Sequence, residues 1–177
     1  MKLITKTEIN ILKEARKIFR NSGYIDIIKL AQDLGINVFG NDLKNQNSYI
    51  RRNQITGKYE IYVNYKHSKE RQRFSIAHEI GHYFLHKDKI DNNLIIERDG
   101  ATSLDIAEER KADKIAVAIL TPGKIVKEYL QSINVSENTE ITFDILNDFL
   151  KKFNISKPFA IIRLKELGYY INQGLWQ

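Results

Sequence analysis

Cysteine is absent from the 177 residues. Disulfides, thiolate metal sites and cysteine nucleophiles are therefore excluded. Long apolar runs are missing too: none approaches the ~18–20 residues needed to cross a bilayer. The opening residues, Met1-Lys2-Leu3-Ile4-Thr5-Lys6-Thr7-Glu8, lack the apolar centre of a signal peptide, so a cytoplasmic location and no membrane partner are expected. No Pro/Gly/Ser-rich linker, internal repeat or low-complexity tract divides the chain. One domain spanning 1–177 is the expectation, because two would each be short of core. What remains is a folding composition, 42% apolar and 28% charged. Lys plus Arg is 28 against 22 Asp plus Glu, a net charge of +6. That balance suits an anionic partner but is also ordinary for solubility, so charge alone does not select nucleic acid.

Along the chain, Thr5 and Glu8 are spaced like a capping box before apolar residues at helical period, reaching Phe19. A short helix near Asp26 to Leu34 ends at Gly35. The period then becomes alternating. Ile36 to Phe39, Ser48 to Arg52 and Lys58 to Val63 read as strands, with a hairpin turn at Thr56-Gly57. Helical spacing returns from about Ser68 to His86. A polar stretch, Lys87 to Leu104, lacks periodicity and reads as a long loop. Asp105 and Glu108 start a helix reaching Leu120, and Pro122 opens another to about Ser132. Thr142 to Phe153 and Ser156 to Leu167 are helical. Helices, a small antiparallel sheet, then more helices make the fold class α+β.

Three of the four histidines lie within nine residues, in His78-Glu79-Ile80-Gly81-His82 and then His86. Histidines four apart on a helix stand one turn above each other, ~6 Å apart, and both rings can reach one metal ion. Glu79 is rotated ~100° from the first and leans toward the open coordination position, where it can take a proton from water. A catalytic zinc needs a third protein ligand. His86 is ~12 Å from His78 along a helix axis and is read as supporting the site without ligating. The better candidate is Glu109, in Glu109-Arg110-Lys111-Ala112-Asp113. Asp113 follows one turn later and could accept the N–H of a ligating histidine, fixing its tautomer. The competing reading of residues 108–111 is a solvated charged face. The apolar run from Ile115 to Leu120 argues against it at Asp113.

Phe74-Ser75-Ile76-Ala77-His78-Glu79-Ile80-Gly81-His82-Tyr83-Phe84-Leu85-His86, with Glu109-x-x-Ala112-Asp113-x-x-Ala116 and Leu120-Thr121-Pro122, resembles the ImmA/IrrE family of metallopeptidases. So does the hairpin segment Ile61-Tyr62-Val63-Asn64 leading into Arg71-Gln72-Arg73-Phe74. The resemblance covers about residues 25–125, followed by a helical part over 126–177. It implies a zincin-like fold in which a small antiparallel sheet packs against an active-site helix. It implies one zinc held by His78, His82 and Glu109, with Glu79 as general base. It further implies an intracellular peptidase, often phage- or mobile-element-encoded, that cleaves a helix-turn-helix repressor and derepresses its genes. The chain departs from the usual pattern at Asp113, where many members carry Asn, and at Ile115, where Phe is common. Both changes keep the chemistry.

Two rival readings come from other classes. Ile27-Ile28-Lys29-Leu30-Ala31-Gln32-Asp33-Leu34-Gly35-Ile36 resembles the first helix and turn of a helix-turn-helix, but the sequence after it reads as extended where a recognition helix is needed. A non-catalytic module binding a repressor or toxin around a structural zinc would need a closed, four-ligand site, and no fourth ligand is evident. Tyr62, Tyr65 and Tyr83 are candidate oxyanion donors among which the sequence does not choose. His67 reads as a surface or capping residue. The oligomeric state is not written in the sequence.

Overall fold

The computed structural model describes Lys13, Lys17 and residues 23–92, 96–97, 106–136 and 138–176. The helix expected between Thr5 and Phe19 and most of residues 93–105 lie outside the described residues. Helix α1 (Ile27–Asp33) starts where the Asp26 carboxylate accepts the Lys29 amide. It ends at Gly35, whose φ of +74° is the left-handed conformation glycine takes without strain. The chain then enters strand β1 (Ile36–Asn41) instead of a second helix, which removes the helix-turn-helix reading.

Strands β2 (Ser48–Arg52) and β3 (Tyr59–Asn64) form the expected antiparallel hairpin. The Asn53 side chain accepts the Ile55 and Thr56 amides to shape its turn. The sheet is mixed, however, and not purely antiparallel. β1 runs parallel to β3, from Ile36 beside Tyr59 to Asn41 beside Asn64. A two-residue strand β4 (Ile96–Glu97) completes the order β1-β3-β2-β4. The polar stretch after His86 also holds a short helix α3 (Lys87–Asp91), which buries Ile90.

Helix α2 (Lys69–Leu85) begins at the Ser68 cap and lays Ile76, Ala77 and Ile80 against buried Ile36, Ile50 and Ile61 of the sheet. Helix α4 (Ile106–Leu120) packs along it in the opposite direction, His78 facing Asp113 and His82 facing Glu109. Gly81 makes this approach possible, because a Cβ there would stand 3.0 Å from the Ala112 carbonyl oxygen and 3.1 Å from its Cα.

Helices α5 (Gly123–Ser132), α6 (Phe143–Phe153) and α7 (Lys157–Glu166) bury Val126, Leu130, Leu146, Phe149, Ile161 and Leu164 together. The Arg163 guanidinium donates to the Thr121 carbonyl at 2.9 Å and ties α7 to the end of α4. Strands β5 (Glu140–Ile141) and β6 (Tyr170–Ile171) pair in parallel as a minimal second sheet.

Candidate metal centre

The middle of α2 is enclosed on all sides, with every residue from Ser75 to His82 buried. The two histidines of the motif therefore project into protein, toward α4. His78 Nε2 and His82 Nε2 lie 2.9 Å apart. Glu109 reaches both rings, Oε2 at 3.2 Å from His78 Nε2 and Oε1 at 3.3 Å from His82 Nε2. One ligand atom from each of the three residues falls within a 4.8 Å cluster. Burial alone would raise the Glu109 carboxyl, but the two histidine rings outweigh it and hold the group at about 2. A carboxylate ionised in this way beside two imidazoles is a donor set that suits zinc.

Asp113 lies one turn after Glu109 on α4. Its Oδ1 is 2.9 Å from His78 Nδ1, which leaves Nε2 as the ring atom turned toward His82 and Glu109. His82 has no such support, its Nδ1 being buried without a hydrogen-bond partner among the described residues. His86 is not brought into the cluster. It ends α2 and begins α3, with its ring centroid 5.4 Å from that of His82 and Nε2 4.0 Å from Glu108 Oε2. Burial pushes its pKa down.

Glu79 is wholly buried next to the two histidines. Burial raises its pKa, against the opposing pull of His78, His82 and a hydrogen bond from Ser48. The Ser48 hydroxyl donates to Oε1 at 2.7 Å, while Oε2 is buried and unpartnered. Sequence reasoning missed Ser48. It lies 31 positions away at the start of β2, and no local pattern marks a serine that only the tertiary fold delivers. Of the three candidate tyrosines, Tyr62 is committed elsewhere, its hydroxyl joined to Glu60 at 3.0 Å and Arg51 at 2.8 Å. Tyr83 packs edge-on against Tyr59.

An α+β fold whose central helix offers two histidines and a buried glutamate to a carboxylate on a helix packed against it has the architecture of a metallopeptidase. The model of the IrrE N-terminal-like domain, peptidase family M78, matches residues 31–165, and the chain belongs to that family. The metallopeptidase ImmA of Bacillus subtilis is 24% identical over 171 residues, which cover 94% of this chain and 91% of that protein. A solved transcriptional regulator of Mycobacterium tuberculosis shares the fold, with a TM-score of 0.54 and 16% identity. The match takes in 89% of this chain but only 46% of the regulator. No helix among the described residues is long and apolar enough to cross a membrane.

Proposed function

We propose that this chain is a zinc-dependent endopeptidase of the cytoplasm, in one domain over 1–177. Its substrate, following the family resemblance, is a helix-turn-helix transcriptional repressor whose cleavage releases phage, mobile-element or stress genes. The observation that carries the peptidase reading is the convergence of His78, His82 and Glu109 beside a buried carboxylate with one oxygen unpartnered. His78, His82 and Glu109 would hold the zinc, which supplies Lewis acidity toward the scissile carbonyl and toward water. Glu79 Oε2 takes the proton of the attacking water and passes it to the departing amine. Ser48 keeps the other oxygen of Glu79 fixed during both transfers. Asp113 holds His78 in the tautomer that presents Nε2. A purely binding module would gain nothing from an acid buried at this position, since burial without a partner costs stability.

Metal content, with Glu79→Gln and Glu109→Ala purified beside the wild type, tests the reading. About one zinc per chain is expected in the wild type and in Glu79→Gln, and a sharp loss in Glu109→Ala. Full zinc in Glu109→Ala would move the third ligand elsewhere, with His86 examined first. A Glu79→Gln variant that cuts a protein substrate as fast as wild type would refute the mechanism.

A further inference from the structure

Two cavities meet along α7. One, of about 480 Å³, opens between the first turn of α2 and the junction of α6 with α7. The other, of about 300 Å³, continues from it along α4 past Asp113 to Arg110. Phe74, Phe159 and Ile162 line both, so the two make a single groove with an apolar floor. Both volumes fall in the range of built ligand sites, roughly 300–1,000 Å³. The groove reaches the surroundings of the metal centre, although none of His78, Glu79, His82 and Glu109 lines it. Asp113 belongs to its wall and also contacts His78 at 2.9 Å, and the Phe74 ring centroid lies 6.4 Å from that of His78.

The rim carries a small surplus of positive charge, with Arg71, Arg110, Lys114 and Arg163 set against Glu70, Asp113 and Glu166. Arg71, Arg110 and Lys114 border the groove, and none of them pairs with an acid among the described residues. Of the acids in the same walls, Glu166 pairs with Arg163 at 3.1 Å and Asp113 contacts His78, while Glu70 stays ionised next to Arg71. Ile162 stands 51% exposed between the floor and this rim.

We propose that the groove receives the substrate polypeptide on one side of the scissile bond, its floor taking a large apolar side chain and its cationic rim an adjacent acidic residue. Placing the scissile bond at the groove's end rests on the peptidase reading above. The contacts themselves rest on the groove alone. Its approach to His78 through Asp113 and Phe74, together with the cations Arg110 and Lys114 near that end, selects a polypeptide of this chemistry over a neutral small molecule.

The test uses the zinc-loaded Glu79→Gln protein, isotopically labelled and titrated by NMR. The probes are acetylated dodecapeptides of Gly, Ser and Ala with a central Phe–Asp pair, and matched versions with Ser for Phe or Lys for Asp. The Phe–Asp peptide is expected to shift the amides around Phe74, Phe159 and Ile162. It should bind at least ~10-fold more tightly than the Ser version, the effect of burying one large apolar side chain. Ile162→Asp, at a position already half open to solvent, should remove the preference for Phe, and Lys114→Glu the preference for Asp. Equal affinities, shifts elsewhere, or a Phe preference that survives Ile162→Asp would overturn the proposal. So would sedimentation revealing a dimer that Ile162→Asp dissociates, because the groove would then hold a second copy. Zinc-loaded wild type incubated with a degenerate peptide library separates the two readings. No cleavage at all speaks against the peptidase reading and leaves the NMR result to judge the groove. Cleavage with no enrichment of apolar residues beside the bond speaks against the groove.

Discussion

Adding one methyl group at Gly81 should weaken the metal centre more than the fold. The new Cβ would sit 3.0 Å from the Ala112 carbonyl oxygen and 3.1 Å from its Cα. Non-bonded carbon contacts prefer about 3.5–4.0 Å, so α2 and α4 must part by roughly 0.5–1 Å. Both obstructing atoms are backbone, which leaves no flexible side chain to yield. Alanine gains about 0.8–1.0 kcal/mol of helix propensity over glycine. Overpacking costs about 1–3 kcal/mol, so net destabilisation should be modest, at roughly 0–2 kcal/mol. The donor cluster has less room to adjust. Glu109 sits one turn from Ala112 on the displaced helix, and its carboxylate must stay within the 4.8 Å cluster that includes both rings. Zinc affinity should therefore fall at least ~10-fold, as when the surroundings of a ligand are disturbed. Urea unfolding of the metal-free protein measures the first quantity, and a chelator competition titration measures the second. A Gly81→Ala protein about 1 kcal/mol more stable than wild type, with zinc affinity unchanged, would show that the helices do not meet as described.

Asp113→Ala should leave the fold intact and weaken zinc binding by about 10–100-fold, because His78 loses the acceptor that fixes its tautomer. Elemental analysis after dialysis against a weak chelator would show it, and undiminished zinc would argue that Asp113 is only a surface acid. Ser48→Ala should retain zinc yet slow peptide-bond hydrolysis, with the loss in kcat and not in KM, and Ser48→Thr should recover part of it. An unchanged kcat in Ser48→Ala would show that Glu79 needs no such anchor. Away from the site, Glu60 accepts hydrogen bonds from Arg51, Asn53 and Tyr62. Burial works against ionisation, but these donors prevail and hold its pKa below the usual carboxylate range. A carboxyl lowered in the folded state contributes stability above its unfolded pKa, and that stability is lost as pH falls through the folded value. Glu60→Gln should thus cost about 1–3 kcal/mol near neutrality and progressively less toward pH 3, read by denaturant unfolding across pH. A cost independent of pH would place the effect in packing.

How much of this was legible in the sequence depends on how local each signal is. The β2–β3 hairpin, α2 and α4 were all marked by features a few residues apart: the Thr56-Gly57 turn, helical spacing from about Ser68, and apolar spacing ended by Pro122. The histidine pair four residues apart and the Glu109 and Asp113 pair behave alike, because one turn of helix sets their separation. Register between distant segments left no such trace. Alternation identifies β1 as a strand, but its parallel pairing with β3 joins segments more than twenty residues apart, which no local pattern records. The five residues of α3 are too few to display a helical period, and only Ile90 among them is buried. Ser48 and Gly81 were read as a strand residue and a mid-motif residue. Their roles exist only relative to Glu79 and Ala112, which the folded chain brings to them.

The same burial that makes the centre of α2 costly to fold gives it its chemistry. His78, Glu79 and His82 are each at most 1% exposed, in the stretch that also supplies Ile76, Ala77 and Ile80 to the core. Polar groups in such a place are tolerated when partnered, and the fold recruits Ser48 from the sheet and Glu109 and Asp113 from α4 to do so. Glu79 Oε2 and His82 Nδ1 are left over, each a buried polar atom of the kind that costs about 1–3 kcal/mol when unpaired. Aliphatic residues at these positions would pack without that penalty. The same burial raises the Glu79 carboxyl above its ordinary value, in the direction that makes it a better proton acceptor. The partners present fix one oxygen of Glu79 and leave the other unengaged, the asymmetry expected when that oxygen is to serve the substrate rather than the fold.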